Sequence, residues 1–221
     1  YIMDNLSFNK LGGICLSIGA VLGFIPFLLQ IILGGTPEEG VQIFGFFADE
    51  VLNGGVNSLL YPILGVIGVS LTMFGVHSLN SVLQKEKEDA LLSLGTFFII
   101  IGSIGYIIVW SIDYFIIWGD PANATSSFTL EMGIIIAFAS IYWGGLQTFA
   151  SAIAVRKYLK NIIPAITSGA AGLIVALHWY TIFTLEPNSA KTIMPLFIGL
   201  SVGQLVALVF NISVGIKMIK S

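Results

Sequence analysis

Six stretches of this chain, at about 11–34, 57–80, 91–118, 132–155, 162–185 and 193–216, are apolar from end to end. A bilayer core about 30 Å thick needs roughly 20 apolar residues per crossing helix, so each stretch is long enough to span one. A lipid-exposed backbone must satisfy its own hydrogen bonds, and these runs are too long and too unalternating for barrel strands. The reading is therefore an all-α, polytopic membrane protein of six transmembrane helices in a single domain. Only 10% of the residues are charged and the mean hydropathy is +0.96, against about 25% charged in soluble domains. The first run is longer than a signal-peptide core and lacks a small-residue cleavage site, so it is expected to be a mature helix.

Charge orients the helices. Lys10, Lys85, Lys87, Arg156, Lys157, Lys160, Lys217 and Lys220 flank one side of the predicted spans, and Lys191 alone falls on the other. By the positive-inside tendency both termini are expected in the cytoplasm, in the cell membrane of a prokaryote. The connection on the outer side between the first two spans is the longest. Its Thr36, Pro37 and Glu39 read as an N-cap, a first helical residue and a capping-box acid. Phe44, Phe47, Ala48 and Val51 keep helical spacing, so 37–52 is predicted as an amphipathic helix lying on the outer leaflet, a lid over lipid or a gate over a pore.

Internal similarity ties the polar residues together. In spans one, three and five a glycine is followed eleven residues later by Gln30, Asp113 or Tyr180, and then by Pro37, Pro121 or Pro187. In spans two, four and six, Thr72, Gln147 and Gln204 each stand thirteen residues before a lysine. The chain thus reads as three diverged copies of one helical hairpin. Eleven residues is close to three helical turns, so Gln30, Asp113 and Tyr180 are expected at one depth, each facing the way its glycine faces. The stripes Gly95–Gly102–Tyr106–Asp113 and Gly169–Gly172–Ala176–Tyr180 are expected to face the bundle interior, because small residues let membrane helices approach closely.

Asp113 most needs an explanation, since a carboxylate at the bilayer centre costs about 2.5–3.5 kcal/mol on insertion scales. Either it binds a solute or a proton, or it is a structural hydrogen-bonding residue near the outer interface. Gln147, Gln204 and Asn211 read as interhelical amides, Gln147 and Gln204 also as deeper parts of a solute path, with His178, Trp143, Asn211 and Thr72 as secondary candidates. His178 lies two and a half turns from Gly169 and is expected to point away from the small-residue stripe. Trp110, Trp118 and Trp179 read as interfacial anchors.

Several classes are excluded by what is missing. No histidine pair has the spacing of metal ligands on one helix, and the glycine pairs are not phosphate cradles. No Lys/Arg cluster is dense enough for nucleic acid, and His178 has no evident serine partner. No cofactor, metal or enzymatic reaction is therefore expected.

The segment "IYWGGLQTFASAIAVRKYLKNIIPAITSGAAGLIVAL", residues 141–177, resembles the stretch of the acetate uptake transporter family that carries a Tyr-Gly-Gly-Leu-type helix, a basic turn and a glycine-containing return helix. The matching positions are Tyr142 (offset by one), Gly144, Gly145, Leu146, Gln147, Arg156 and Lys157. The family's Asn-Pro-Ala-Pro-type opening motif is missing, and the match falls in spans four and five rather than two and three. The resemblance implies a six-helix, hairpin-built permease for a small solute, similar also to proton-gated urea channels, with one pore per protomer and assembly into hexamers. Two functional readings stand. One is a channel or facilitator for a small neutral or weakly acidic solute, with Gln30, Asp113 and Tyr180 as an outer polar ring and Gln147 and Gln204 deeper. The other is a non-transporting accessory or assembly subunit of a larger membrane complex.

Overall fold

A computed structural model describes residues 7–221. It contains helices α1 (Phe8–Leu33), α2 (Ile43–Asn53), α3 (Val56–Glu86), α4 (Ala90–Trp118), α5 (Ala124–Val155), α6 (Ile163–Thr184) and α7 (Met194–Lys220), with no strand among the described residues. All but α2 are long and apolar enough to cross a membrane. Their starts follow capping chemistry. Ser7 accepts from the Lys10 N–H at 3.2 Å and Asp89 from the Leu92 N–H at 3.1 Å, while Pro164 and Pro195 occupy first turns, where a missing N–H removes no helical bond.

Each long helix packs on its neighbours in chain order, and α7 returns to α1, closing a ring of six. The Asn9 side-chain amide donates to the Met218 carbonyl at 3.2 Å, so the ring begins and ends at the same end of the bundle. That end carries eight of the nine Lys and Arg residues and is called the basic end below; the other is the acidic end. Glycines set the closest approaches. A Cβ on Gly68 of α3 would stand 2.4 Å from the Gly23 nitrogen of α1, and one on Gly13 of α1 would stand 2.5 Å from the Gly215 oxygen of α7.

Apolar side chains fill the ring toward the basic end, where Leu79, Leu83, Leu92, Phe149, Ile153, Phe210 and Met218 are all buried. Phe149 of α5 meets Phe210 of α7 edge-on, ring centres 6.3 Å apart, across the middle. A second, smaller cluster at the acidic end joins Ile43, Phe44 and Ala48 of α2 to Ile116, Ala124, Phe128, Met132 and Ile193.

Two expectations need correction here. The outer helix spans 43–53, not 37–52, and its N-cap is Gln42, whose side chain accepts from the Gly45 N–H, rather than Thr36. The cause is the preceding turn. The Gly40 N–H donates to the Asn188 carbonyl and the Ile43 N–H to the Pro187 carbonyl, at 3.0 and 2.8 Å. Gly40 also holds φ +88°, which no right-handed helix includes. Glu39, expected in a capping box, instead accepts from the Ser189 hydroxyl and faces Lys191 at 3.9 Å. Far from lying flat over lipid, α2 rests on the ends of α4 and α5 with Ile43 and Ala48 fully buried, and Phe47 packs on Phe128 and Phe197. The second correction is that α5 begins at Ala124 rather than at 132, because the helical backbone continues where the apolar run stops.

At the basic end the Arg156 guanidinium donates to the carbonyls of Leu83 and Lys87, both at 2.9 Å, capping α3 from the end of α5. Arg156→Gln is expected to cost about 2 kcal/mol, the scale of a hydrogen bond to a charged group. The check is thermal unfolding of the purified protein in detergent, and an unchanged transition would show the cap to be idle.

Candidate functional site

The site is set by how α4 lies on α5. A Cβ on Gly95 would stand 2.6 Å from the Phe149 nitrogen, one on Gly102 the same distance from the Tyr142 nitrogen, and one on Gly145 2.6 Å from the Ile99 nitrogen. The pairs 95/149, 99/145 and 102/142 define one antiparallel register. Three further turns toward the acidic end, eleven residues in each helix, take 102 to Asp113 and 142 to Glu131. The two carboxyl-bearing residues therefore face one another across the α4–α5 contact. They are only 6% and 5% exposed, and each lies within the other's electrostatic reach.

Nothing among the described residues balances this pair. The Oε2 of Glu131 is buried with no hydrogen-bond partner among the described residues. Lys191, the one Lys or Arg at the acidic end among the described residues, is exposed and faces Glu39. Ile116, one turn outward from Asp113, and Phe128 and Met132, flanking Glu131, belong to the apolar cluster beneath α2. The pair thus lies under a hydrophobic cover.

Further polar groups continue inward. Ser103 Oγ and Thr181 Oγ1 are buried with no hydrogen-bond partner among the described residues, and the buried Trp143 indole pairs with the Tyr106 phenol. By the same register Ser103 is within about 3 Å in depth of Trp143, and Glu131 lies about 18 Å further toward the acidic end. His178 is 1% exposed and its Nδ1 lies 2.8 Å from the Ile174 carbonyl. A carbonyl only accepts, so Nδ1 carries the proton and a neutral ring offers its Nε2 lone pair elsewhere. Thr181 is on the same face, three residues on. Trp143 reaches Gly203 of α7 beside the Ile174 side chain, and its ring meets Tyr142 edge-on at 5.7 Å. These aromatics close the interior at mid-depth.

The predicted ring of Gln30, Asp113 and Tyr180 does not form. Gln30 is exposed on the perimeter and Tyr180 is 54% exposed, leaving only Asp113 inside. The reason is the rotation of α6. Gly169, Ala176 and Tyr180 face outward, and Pro164, Thr167, Ala171, Ile174, His178 and Thr181 face inward. The α6 stripe expected to line the interior is on the outside, and His178, expected to point away from that stripe, does so by pointing in. The α4 stripe does pack inward, on α5. Gln147 is exposed, beside Gly172, and Gln204 is half-buried. Asn211 is buried, as is Thr72, whose hydroxyl is used up on the Gly68 carbonyl at 2.9 Å. Glu131 was missed because hydropathy starts its span at 132. Only the α4–α5 register, with Glu131 as far from Tyr142 as Asp113 is from Gly102, would have found it.

No group of three or more metal-ligating side chains occurs among the described residues. No protein-family model, curated protein or solved structure matches this chain.

Proposed function

We propose that this chain is a gated facilitator for a small neutral or weakly acidic solute in the cell membrane of a prokaryote. In this reading the six helices are three diverged hairpins with both termini in the cytoplasm, as the distribution of eight basic residues against one supports. One observation carries the proposal: Glu131, Thr181 and Ser103, from three helices, leave buried polar atoms unpaired among the described residues inside the ring. Each such atom costs about 1–3 kcal/mol, and native cores leave few of them. A hydrogen-bonding solute passing through the outer half of the interior would satisfy them in turn. The described conformation is closed, by α2 and its apolar cluster at the acidic end and by Phe149 and Phe210 toward the basic end. The resemblance of residues 141–177 to the acetate uptake family agrees with a small weak acid as the solute. No enzymatic reaction, cofactor or nucleic acid enters the proposal.

Uptake by proteoliposomes tests it. A panel of small neutral and weakly acidic solutes is expected to include one that enters faster than into protein-free vesicles, and Asp113→Asn is expected to slow that entry. If no solute enters faster, the facilitator reading falls. The accessory-subunit reading then leads, and it has its own support in Gln147, an amide on the membrane-facing perimeter where a partner helix would satisfy it.

A further inference from the structure

We infer that Asp113 and Glu131 share a single proton at neutral pH and together form a proton-binding site beneath α2. The register of α4 on α5 brings the two carboxyls face to face, and burial removes the water that would otherwise keep both ionised. Two adjacent negative charges in a membrane interior repel strongly and need a counterion. The described groups packed around the pair supply none. On α4 the neighbour is the Tyr114 phenol, which donates to the Leu59 carbonyl of α3. The α2 helix turns Ile43, Phe44 and Ala48 inward; Asp49 is exposed, and Glu50 accepts from the Gly35 N–H. The Asp120 carboxylate caps the Ala122 N–H. Toward the acidic end of α6 the buried polar groups are His178 and Thr181, with His178 Nδ1 bonded to a carbonyl; Thr167 is buried about three turns away toward the basic end. In the α6–α7 connection Glu186 is exposed, and Lys191 is committed to Glu39.

One proton resolves the conflict. A carboxylic acid on one residue donates to the carboxylate of the other, which uses the free Glu131 oxygen and leaves a single negative charge spread over the pair. The pair lies nearer the acidic end, with the aromatic layer and the apolar core between it and the basic end. This inference stands apart from the transport reading, because it can be tested on protein that moves no solute.

Infrared difference spectra between the wild type and Asp113→Asn/Glu131→Gln, in lipid nanodiscs at neutral pH, provide the test. One protonated-carboxyl band and one carboxylate band are expected in the wild type, both lost in the double variant and both unaffected when sodium is replaced by choline. Two carboxylate bands, or bands that depend on sodium, would mean that a metal cation balances the pair, and the inference would fall. Two protonated bands would overturn it equally. A second measurement needs no variant: a membrane-soluble carbodiimide, which reacts with protonated carboxyls, should place one label per chain at residue 113 or 131, more slowly as pH rises. No label there, or two, refutes the shared proton.

Discussion

Asp113→Leu/Glu131→Leu is expected to unfold at a higher temperature than the wild type and to lose most of the transport activity proposed for the chain. Replacing buried ionic groups with apolar ones of similar size is often stabilising by about 1–4 kcal/mol. Here the starting state is less favourable than an ion pair, since the negative charge left on the proton-sharing pair has no cation beside it among the described residues, where Lys191 faces Glu39. The surrounding Ile116, Phe128 and Met132 already make an apolar nest into which two leucines fit. The cost to flux follows from the same contacts. A hydrogen bond to a charged group is worth about 1.5–3 kcal/mol, so removing both carboxyls from the path should slow entry by about 10- to 100-fold. Thermal unfolding and liposome uptake, run on the same preparation, separate the outcomes. A variant less stable than the wild type would mean that the pair holds α4 to α5. That result would favour the subunit reading over the facilitator.

The second large effect is expected at Gly68. An alanine there would place its Cβ 2.4 Å from the Gly23 nitrogen, 2.8 Å from the Gly23 Cα and 2.9 Å from the Gly19 oxygen. These are backbone atoms of a helix and cannot turn aside, so α1 and α3 must separate along their whole contact. Overpacking commonly costs about 1–3 kcal/mol, and a clash against backbone belongs at the upper end. Gly23→Ala is the matched control. It changes the other member of the same contact, yet its added Cβ meets nothing within 4 Å. That substitution is expected to be neutral or to stabilise by up to about 1 kcal/mol through helix propensity. Opposite outcomes at two touching glycines are measurable as yield of monodisperse protein and as unfolding temperature. Equal outcomes would mean that the two helices can slide past each other.

How much of this could be read from sequence depends on the property in question. The six long helices are visible because the bilayer fixes their length and polarity. Which side of each helix faces inward is not visible. In water an apolar stripe points to the core, whereas in lipid an apolar face suits either neighbour, and hydrophobicity loses its direction. Both sides of α6 carry small and polar residues, so the Gly169–Tyr180 stripe and the Thr167–Thr181 face were equally eligible on composition. Packing chose the second. In α4 the two signals agreed, because the glycines that admit α5 lie on the same face as Asp113. Glu131 illustrates a different blindness. Its side chain ends an apolar run, while its backbone continues a helix that Ala124 begins. The α2 boundary failed for a nonlocal reason, since the donors of Gly40 and Ile43 are taken by carbonyls of residues 188 and 187.

The contact between α1 and α7 bears on how the molecule is made. Of the six long helices these are the earliest and the latest to be synthesised, and they meet backbone to backbone at Gly13 and Gly215. Until α7 arrives, Leu16 and Phe149 lack Phe210, Val214 and Met218, their companions in the main core. Five inserted helices thus leave the ring open along one side, with its apolar core incomplete. The arrival of α7 is then the step that closes the ring, and a chain stalled before it would leave that side of the bundle open to the membrane.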